Sequence, residues 1–218
     1  MSVQPADAVY SPADRVVGIA TVRIEGGFAA HKAVPGKYTI TLKTPAQSLT
    51  TEAEILANPL YPTDAATYAE YHRTMSSMET ELTTMHKLVN SLFEKQNQLD
   101  SLLKSLPAGE KYSGVRKDGE ALLKKMKAWD EDMVQRKSKA YDDVENFPNK
   151  FTANYLFMIN ATESDIPRVN QPTLDRMKEL NAQWATLKAR ADEILNRDIP
   201  ALNKKLWDAG LGAIWADR

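Results

Sequence analysis

The fold is decided by residues 63–106, which read TDAATYAEYHRTMSSMETELTTMHKLVNSLFEKQNQLDSLLKSL. Apolar side chains recur there at alternating steps of three and four residues, with Gln96 as the polar interruption: Tyr68, Tyr71, Met75, Met78, Leu82, Met85, Val89, Leu92, Leu99, Leu103 and Leu106. This spacing places them on one side of an α-helix and is typical of coiled-coil packing. It predicts one helix of about 40 residues, about 60 Å long at 1.5 Å per residue.

Two further helical stripes follow this segment. The second holds Val115, Leu122, Met126, Trp129, Met133, Ala140 and Val144, and we expect it to run to Phe147-Pro148. After a short apolar piece at residues 151–159, the third holds Leu174, Met177, Leu180, Trp184, Leu187, Ala191 and Leu195, continued by Leu202 and Leu206. Asp198, two residues before Pro200, predicts an N-cap and a kink in this last helix. Three long stripes with short connections predict an antiparallel bundle of three helices.

Residues 1–60 have the period of a β-strand instead. Tyr38, Ile40 and Leu42 alternate with Thr and Lys over residues 37–43, which predicts a strand with one buried face. The β-branched residues in 15–24 and the alternation over residues 49–55 predict further strands, three or four in all. A closed sandwich usually takes about seven strands, so the apolar face needs a cover. The helices, a partner subunit and strands of a longer parent chain are all open as that cover.

Composition excludes several function classes. The 218 residues carry 28 basic and 29 acidic side chains, a net charge of −1, which argues against non-specific nucleic-acid binding. With no Cys, the chain forms no disulfide, thiol nucleophile or Cys–metal site. No stretch approaches the roughly 18–20 apolar residues of a membrane-spanning helix. The first residues, MSVQPADAVY, lack the features of a signal peptide.

The titratable residues give no catalytic or metal-binding pattern. His72, Glu79 and His86 are spaced seven residues apart on one helix. Seven residues rise about 10.5 Å, so no single metal ion could bind all three. His31 has no recognisable partner, and the carboxylate runs at residues 130–132 and 142–145 diverge around their helices as a solvated face does. We therefore predict no catalytic, cofactor-binding or metal-binding residues, and no enzyme activity.

The C-terminal tail concentrates apolar and aromatic residues. Trp207, Leu211, Ile214 and Trp215 fall within ten residues, around Gly210 and Gly212. Such a segment either packs back onto its own domain or forms a docking patch, since Trp is enriched at interface hot spots and at membrane–water boundaries. These four residues are the candidate interaction residues, and they leave peripheral contact with a membrane open.

The order of these features resembles a known family. ATVR at residues 20–23, AVPGKYTITL at 33–42, Asn58-Pro59, DIPALN at 198–203 and AGL at 209–211 are similar to the C-terminal region of bacterial sortilin-like (VPS10-type) BNR-repeat proteins, often labelled glycosyl hydrolases. The resemblance implies an Ig-like β unit and a helical region without catalytic residues. It also implies an upstream β-propeller holding any substrate site, and an extracytoplasmic location, periplasmic or secreted.

The predicted fold class is α+β, mainly α. Residues 1–60 form a small, partial Ig-like antiparallel β unit, and residues 61–218 form a long antiparallel three-helix bundle with a kinked last helix and an apolar tail. We expect a non-catalytic structural or protein-interaction module of an exported protein or multi-subunit assembly. Its partner would be another subunit or an upstream β-propeller domain. Two alternatives are a peripheral accessory subunit of a membrane complex that docks through the tail, and a hydrolase accessory domain of a glycosyl-hydrolase-like protein.

Overall fold

A computed structural model describes residues 30–60, 63–164 and 167–214. The strands are β1 (Gly36–Lys43) and β2 (Ser48–Ile55). The helices are α1 (Ala65–Ser105), α2 (Ser113–Met133), α3 (Phe151–Ser164), α4 (Gln171–Glu193) and α5 (Ile199–Asp208), with a π-helical turn at Ile194–Asp198 between the last two. The predicted class is confirmed, because the protein is mainly α with a small antiparallel β unit.

The first long helix forms as predicted. The Asp64 carboxylate caps α1 by accepting a hydrogen bond from the Thr67 backbone N–H at 2.7 Å. Every apolar residue of its stripe from Tyr71 to Leu106 is buried, and so is Gln96. At the other end, the Arg116 guanidinium donates to the carbonyl oxygens of Leu103 and Leu106, at 3.1 and 3.0 Å. These bonds satisfy carbonyls that the end of a helix leaves without an internal partner.

The second helix ends earlier than the sequence predicts. We expected it to run to Phe147, but α2 stops at Met133 and Val134 is extended. The Arg136 guanidinium turns back onto the Asp130 carboxylate, at 2.5 and 2.6 Å, and lies 3.6 Å from the centre of the Phe93 ring of α1. The prediction for residues 134–147 is therefore wrong, because a contact with α1 holds the chain outside the helix there.

Helix α3 resumes the direction of α2. The Thr152 hydroxyl donates to the Met133 carbonyl oxygen at 2.9 Å, so α3 begins where α2 ends. The Phe151 ring stacks on that of Trp184, with centroids 6.2 Å apart, and the Tyr155 hydroxyl donates to Asn181 at 3.0 Å. This order of contacts makes α3 antiparallel to α4. Helices α2 and α3 together form the second rod of the bundle, interrupted by residues 134–150.

The third rod consists of α4, the π turn and α5. Its ion pairs with α2 run in opposite order along the two rods, from Arg190–Asp132 through Asp198–Lys125 to Lys205–Asp118, so the rods are antiparallel. Asp198 has helical dihedrals and makes no capping hydrogen bond with its side chain, unlike the predicted N-cap. Pro200 lacks the N–H that would continue the α-helical bonding, and a wider turn precedes it.

The β unit is a hairpin in the described part of the chain. Strands β1 and β2 pair antiparallel, with Tyr38 opposite Ala53 and Leu42 opposite Leu49. Both predicted strands form, whereas the predicted strand at residues 15–24 lies outside the described residues. The Ig-like assignment stays a prediction.

Candidate functional site

A cluster of polar side chains joins the chain before β1 to α1. The Nδ1 atom of His31 is 2.7 Å from Glu79 Oε1, and the same oxygen accepts the His31 backbone N–H at 2.7 Å. The other ring nitrogen, Nε2, is 2.8 Å from Nδ1 of His72. The Tyr71 ring meets the His31 ring edge to face, with centroids 5.9 Å apart. We call His31, His72 and Glu79 the histidine cluster.

The cluster is partly buried and joins distant parts of the sequence. The His31 side chain is 5% exposed, and its two partners lie 41 and 48 residues further along the chain. The sequence pattern predicts no shared metal site for His72 and Glu79 and indicates no partner for His31. No local signal could have paired them. The seven-residue spacing does put His72 and Glu79 on one face of α1, and that face receives His31.

The geometry of the cluster suits proton exchange better than metal binding. The two nitrogens of His31 point to different partners, so one cation could not bind His72, His31 and Glu79 together. Among the described residues, no group of three or more His, Asp or Glu side chains is arranged to hold a metal ion. A carboxylate hydrogen-bonded to an imidazole, which in turn bonds a second imidazole, forms a chain along which a proton can pass, and imidazole is the side chain suited to such transfer.

A second candidate feature is the apolar face of the hairpin. Tyr38, Ile40 and Leu42 on β1 share this face with Leu49, Ala53 and Ile55 on β2. Tyr38 is buried and its hydroxyl donates to the Val34 carbonyl oxygen at 2.5 Å, but Leu42 and Leu49 are 58% and 52% exposed. The face is therefore covered at the root of the hairpin and open toward its tip, at residues 44–47.

The predicted interaction residues of the tail do not share one environment. Gly210, with φ of 78°, turns the chain back after α5, and the Leu211 N–H donates to the Leu206 carbonyl oxygen at 2.8 Å. Ile214 is buried, and its backbone exchanges two hydrogen bonds with the Asn203 side chain, at 2.8 and 3.0 Å. Leu211 packs against the same core. Trp207 is 79% exposed, and Trp215 lies outside the described residues.

Several acidic side chains of the bundle surface pair with cations. Lys125 Nζ lies 2.7 Å from both Glu193 and Asp198, and these hydrogen bonds hold the pKa of each carboxyl below its usual value. A shallow depression on α4 has Glu193 and Arg190 in its lining, together with small residues of the same helix. These pairs link α2 to the third rod, and they do not bring free acids together in a cleft.

Buried polar groups lie elsewhere on α1. The Nδ1 atom of His86 has no hydrogen-bond partner among the described residues, and burial lowers the pKa of this imidazole to about 4. Burial, reinforced by the charges of Glu163 and Glu79, raises the pKa of the Tyr71 hydroxyl. Both side chains are therefore uncharged at pH 7.

Neither the length and hydropathy of the helices nor comparisons with other proteins give a functional assignment. Across the described ranges, no helix is both long enough and apolar enough to cross a membrane. No family model, no curated protein and no solved structure matches this chain.

Proposed function

We propose that this chain is a non-catalytic protein-interaction module of an exported protein or multi-subunit assembly, and that it docks through the apolar face of its hairpin. One observation carries the proposal: Leu42 and Leu49, paired across the two strands, are both more than half exposed. The opposite face carries Lys37 beside Glu54 and Thr39 beside Glu52, as a solvated face does. Open apolar surface on one face of a sheet supports contact with another layer of protein.

The size of the face supports a particular kind of partner. Two strands of eight residues cover about 26 by 10 Å, or about 250 Å² on each side of a contact. A stable interface between free proteins buries about 800 Å² per partner, so two copies meeting only at this face would associate weakly. We therefore assign the face to an apolar β layer of a protein already held in the same assembly, such as a neighbouring subunit or a preceding domain. The resemblance described above suggests a β-propeller for that domain.

The experiment compares two pairs of substitutions in the hairpin. The test variant Leu42→Thr/Leu49→Thr makes the apolar face polar and keeps β-forming residues. The control, Thr41→Ser/Thr50→Ser, changes the adjacent pair on the other face. The partner is the subunit that remains bound in the native assembly, purified and titrated against each variant. We expect the test variant to bind at least tenfold more weakly and the control to bind like the wild type.

Two results would contradict this assignment. Equal binding by the test variant and the control would remove the hairpin face as the docking surface. Self-association of the purified wild-type chain, lost in the test variant, would instead assign the face to a second copy. Because both leucines are exposed, we expect the melting temperature of the test variant to stay within about 2 °C of the wild type.

A second candidate is a peripheral accessory subunit that docks to a membrane complex through the tail, and the exposure of Trp207 favours it. Trp side chains prefer membrane–water boundaries and the centres of interfaces. The discriminating variant is Trp207→Ala, with Gln183→Ala on the exposed surface of α4 as the control. Loss of co-flotation with anionic vesicles in Trp207→Ala alone would favour this second candidate over the first.

A further inference from the structure

We propose that the histidine cluster is a proton-operated latch: it fastens residues 30–35, the root of the hairpin, to α1, and it opens, by loss of the bond between His31 and His72, when both imidazoles are protonated. The inference does not rest on the proposed function, because it concerns a contact within the chain. It rests on three distances of 2.7 to 2.8 Å, on the burial of the His31 side chain, and on the position of His31 five residues before β1.

The hydrogen bonds fix how many protons the closed latch can hold. Glu79 accepts, so Nδ1 of His31 carries a proton and donates it. The contact between His31 Nε2 and His72 Nδ1 then needs one proton between the two nitrogens. Either a neutral His31 accepts from His72, or a protonated His31 donates to His72. A further proton on the second arrangement makes both rings imidazolium and places two N–H groups against each other, and the bond is lost.

The charged and titratable groups around the cluster belong to α1, α3 and the segments before β1 and α4. On α1, the Glu79 carboxylate accepts from His31, and the Tyr71 hydroxyl stays neutral because its pKa is raised. From the last turn of α3, Glu163 adds negative charge near Tyr71. Arg168, before α4, acts on Asp64 at the start of α1, and Lys32 is exposed beside His31. The shared bond between the two rings excludes a second imidazolium.

The sign of the pH dependence follows from this proton count. The open state binds one more proton than the closed state, so falling pH favours opening. Below the midpoint of the transition, each further fall of one pH unit raises the ratio of open to closed chains about tenfold, because the open state binds one extra proton. Histidine side chains titrate between about pH 5 and 8, which sets the working range of the latch.

Opening would loosen the root of the hairpin while the bundle remains folded. In the closed state three contacts connect the hairpin to the bundle: the latch, the packing of Val34 on the core, and the bond from Tyr38 to Val34. When the His31–His72 bond is lost, the two bonds from His31 to Glu79, the packing of Val34 and the bond from Tyr38 to Val34 still hold the root near α1. The hairpin then samples more orientations relative to α1.

The test measures the distance between the root and α1 in the full chain. The protein has no Cys, so Lys32→Cys and Arg73→Cys, both at exposed positions, give two unique sites for spin labels. Pulsed electron spin resonance should give one narrow distance distribution at pH 8. At pH 5 we expect a second, broader population, at least tenfold more abundant than at pH 8, while circular dichroism shows an unchanged helix content.

Substitutions separate the latch from other effects of acid. His72→Asn keeps a polar atom near the Nδ1 position but does not titrate, so the distribution should stay narrow at pH 5. Glu79→Gln should broaden it already at pH 8. His86→Gln is the matched control, because His86 lies on the same helix outside the cluster, and it should leave the transition unchanged. A wild-type distribution that is identical at pH 8 and pH 5, or an unaltered transition in His72→Asn, would overturn the proposal.

A measurement on the unmodified protein covers the case in which a variant does not fold. Nuclear magnetic resonance of ¹⁵N-labelled histidine should show scalar coupling across the bond between His31 Nε2 and His72 Nδ1 at pH 8. That coupling should be lost at pH 5. Its absence at pH 8, or its persistence at pH 5 in the folded protein, would also overturn the latch.

Discussion

Tyr71, His86 and Gln96 show, at the scale of single residues, how α1 tolerates polar groups in its packed face. Each has a buried polar atom without a hydrogen-bond partner among the described residues. An unpartnered buried group costs about 1–3 kcal/mol, and a charged one costs more, so a titratable group at such a site stays neutral. This explains why burial moves the pKa values of Tyr71 and His86 in opposite directions, each toward its uncharged form.

His86 should make stability depend on pH. Its folded pKa of about 4 lies below the ordinary histidine value near 6.5, so the unfolded chain binds the proton first as pH falls. The contribution of the neutral His86 side chain to the free energy of unfolding is complete above about pH 6.5. It is lost progressively toward pH 4, by about 3 kcal/mol at most. Urea unfolding at pH 7 and pH 4.5 measures this loss, and His86→Leu should reduce the difference by about 2–3 kcal/mol. An unchanged difference in His86→Leu would contradict the prediction.

At the scale of elements, α1 is the helix against which the others are placed. Its C-terminal half meets Arg116 of α2, and its middle meets α4 through the bond from Trp184 to Glu81 at 2.7 Å. Gln96 lies within this continuous apolar seam and is buried. A polar residue at one core position of a coiled coil typically trades stability for a fixed register.

Replacing Gln96 should therefore stabilise the bundle. Gln96→Leu removes an unpartnered buried oxygen and adds apolar burial, so we expect the free energy of unfolding to rise by about 1–2 kcal/mol. The matched control is Gln183→Leu at an exposed position of α4, which should change stability by less than about 0.5 kcal/mol. Chemical denaturation at pH 7 measures both. A loss of stability in Gln96→Leu would mean that this amide makes favourable contacts in the core.

The whole molecule combines a three-rod bundle with a hairpin that shares little of its core. The core cluster extends along α1, α2, α3, α4 and α5, whereas Tyr38 is the buried apolar side chain of the hairpin. An isolated two-stranded hairpin is marginally stable in water. Cooperative stability therefore resides in the bundle, and the hairpin is the part that can open locally.

Hydrogen exchange should separate these two parts. We expect amides of residues 36–55 to exchange through local opening, with opening free energies several kcal/mol below those of buried positions in residues 71–103. Native-state exchange followed by mass spectrometry at pH 8, where the latch is closed, compares the two segments in one sample. Equal protection of both segments would show that the hairpin unfolds together with the bundle.

Much of the fold was predictable because its signals are local. The three-and-four spacing along residues 68–106 places one stripe on one face of a helix, and the Asp64 cap and the alternation in β1 depend only on neighbouring residues. The end of α2 was not predictable in this way. Arg136 leaves the helix because Asp130 and the Phe93 ring of α1 hold it, and Phe93 is 43 residues away in the sequence.

The sequence by itself therefore determined the periods, the start of α1 and the order of the elements, since these follow from the geometry of a helix or strand over a few residues. Only the tertiary structure decided which polar side chains meet. It brought His31 to His72 and Glu79, buried Ile214 and left Trp207 exposed. The physical reason is range: backbone geometry repeats every two to four residues, whereas the partner of a buried charge or imidazole is chosen by the packing of distant segments.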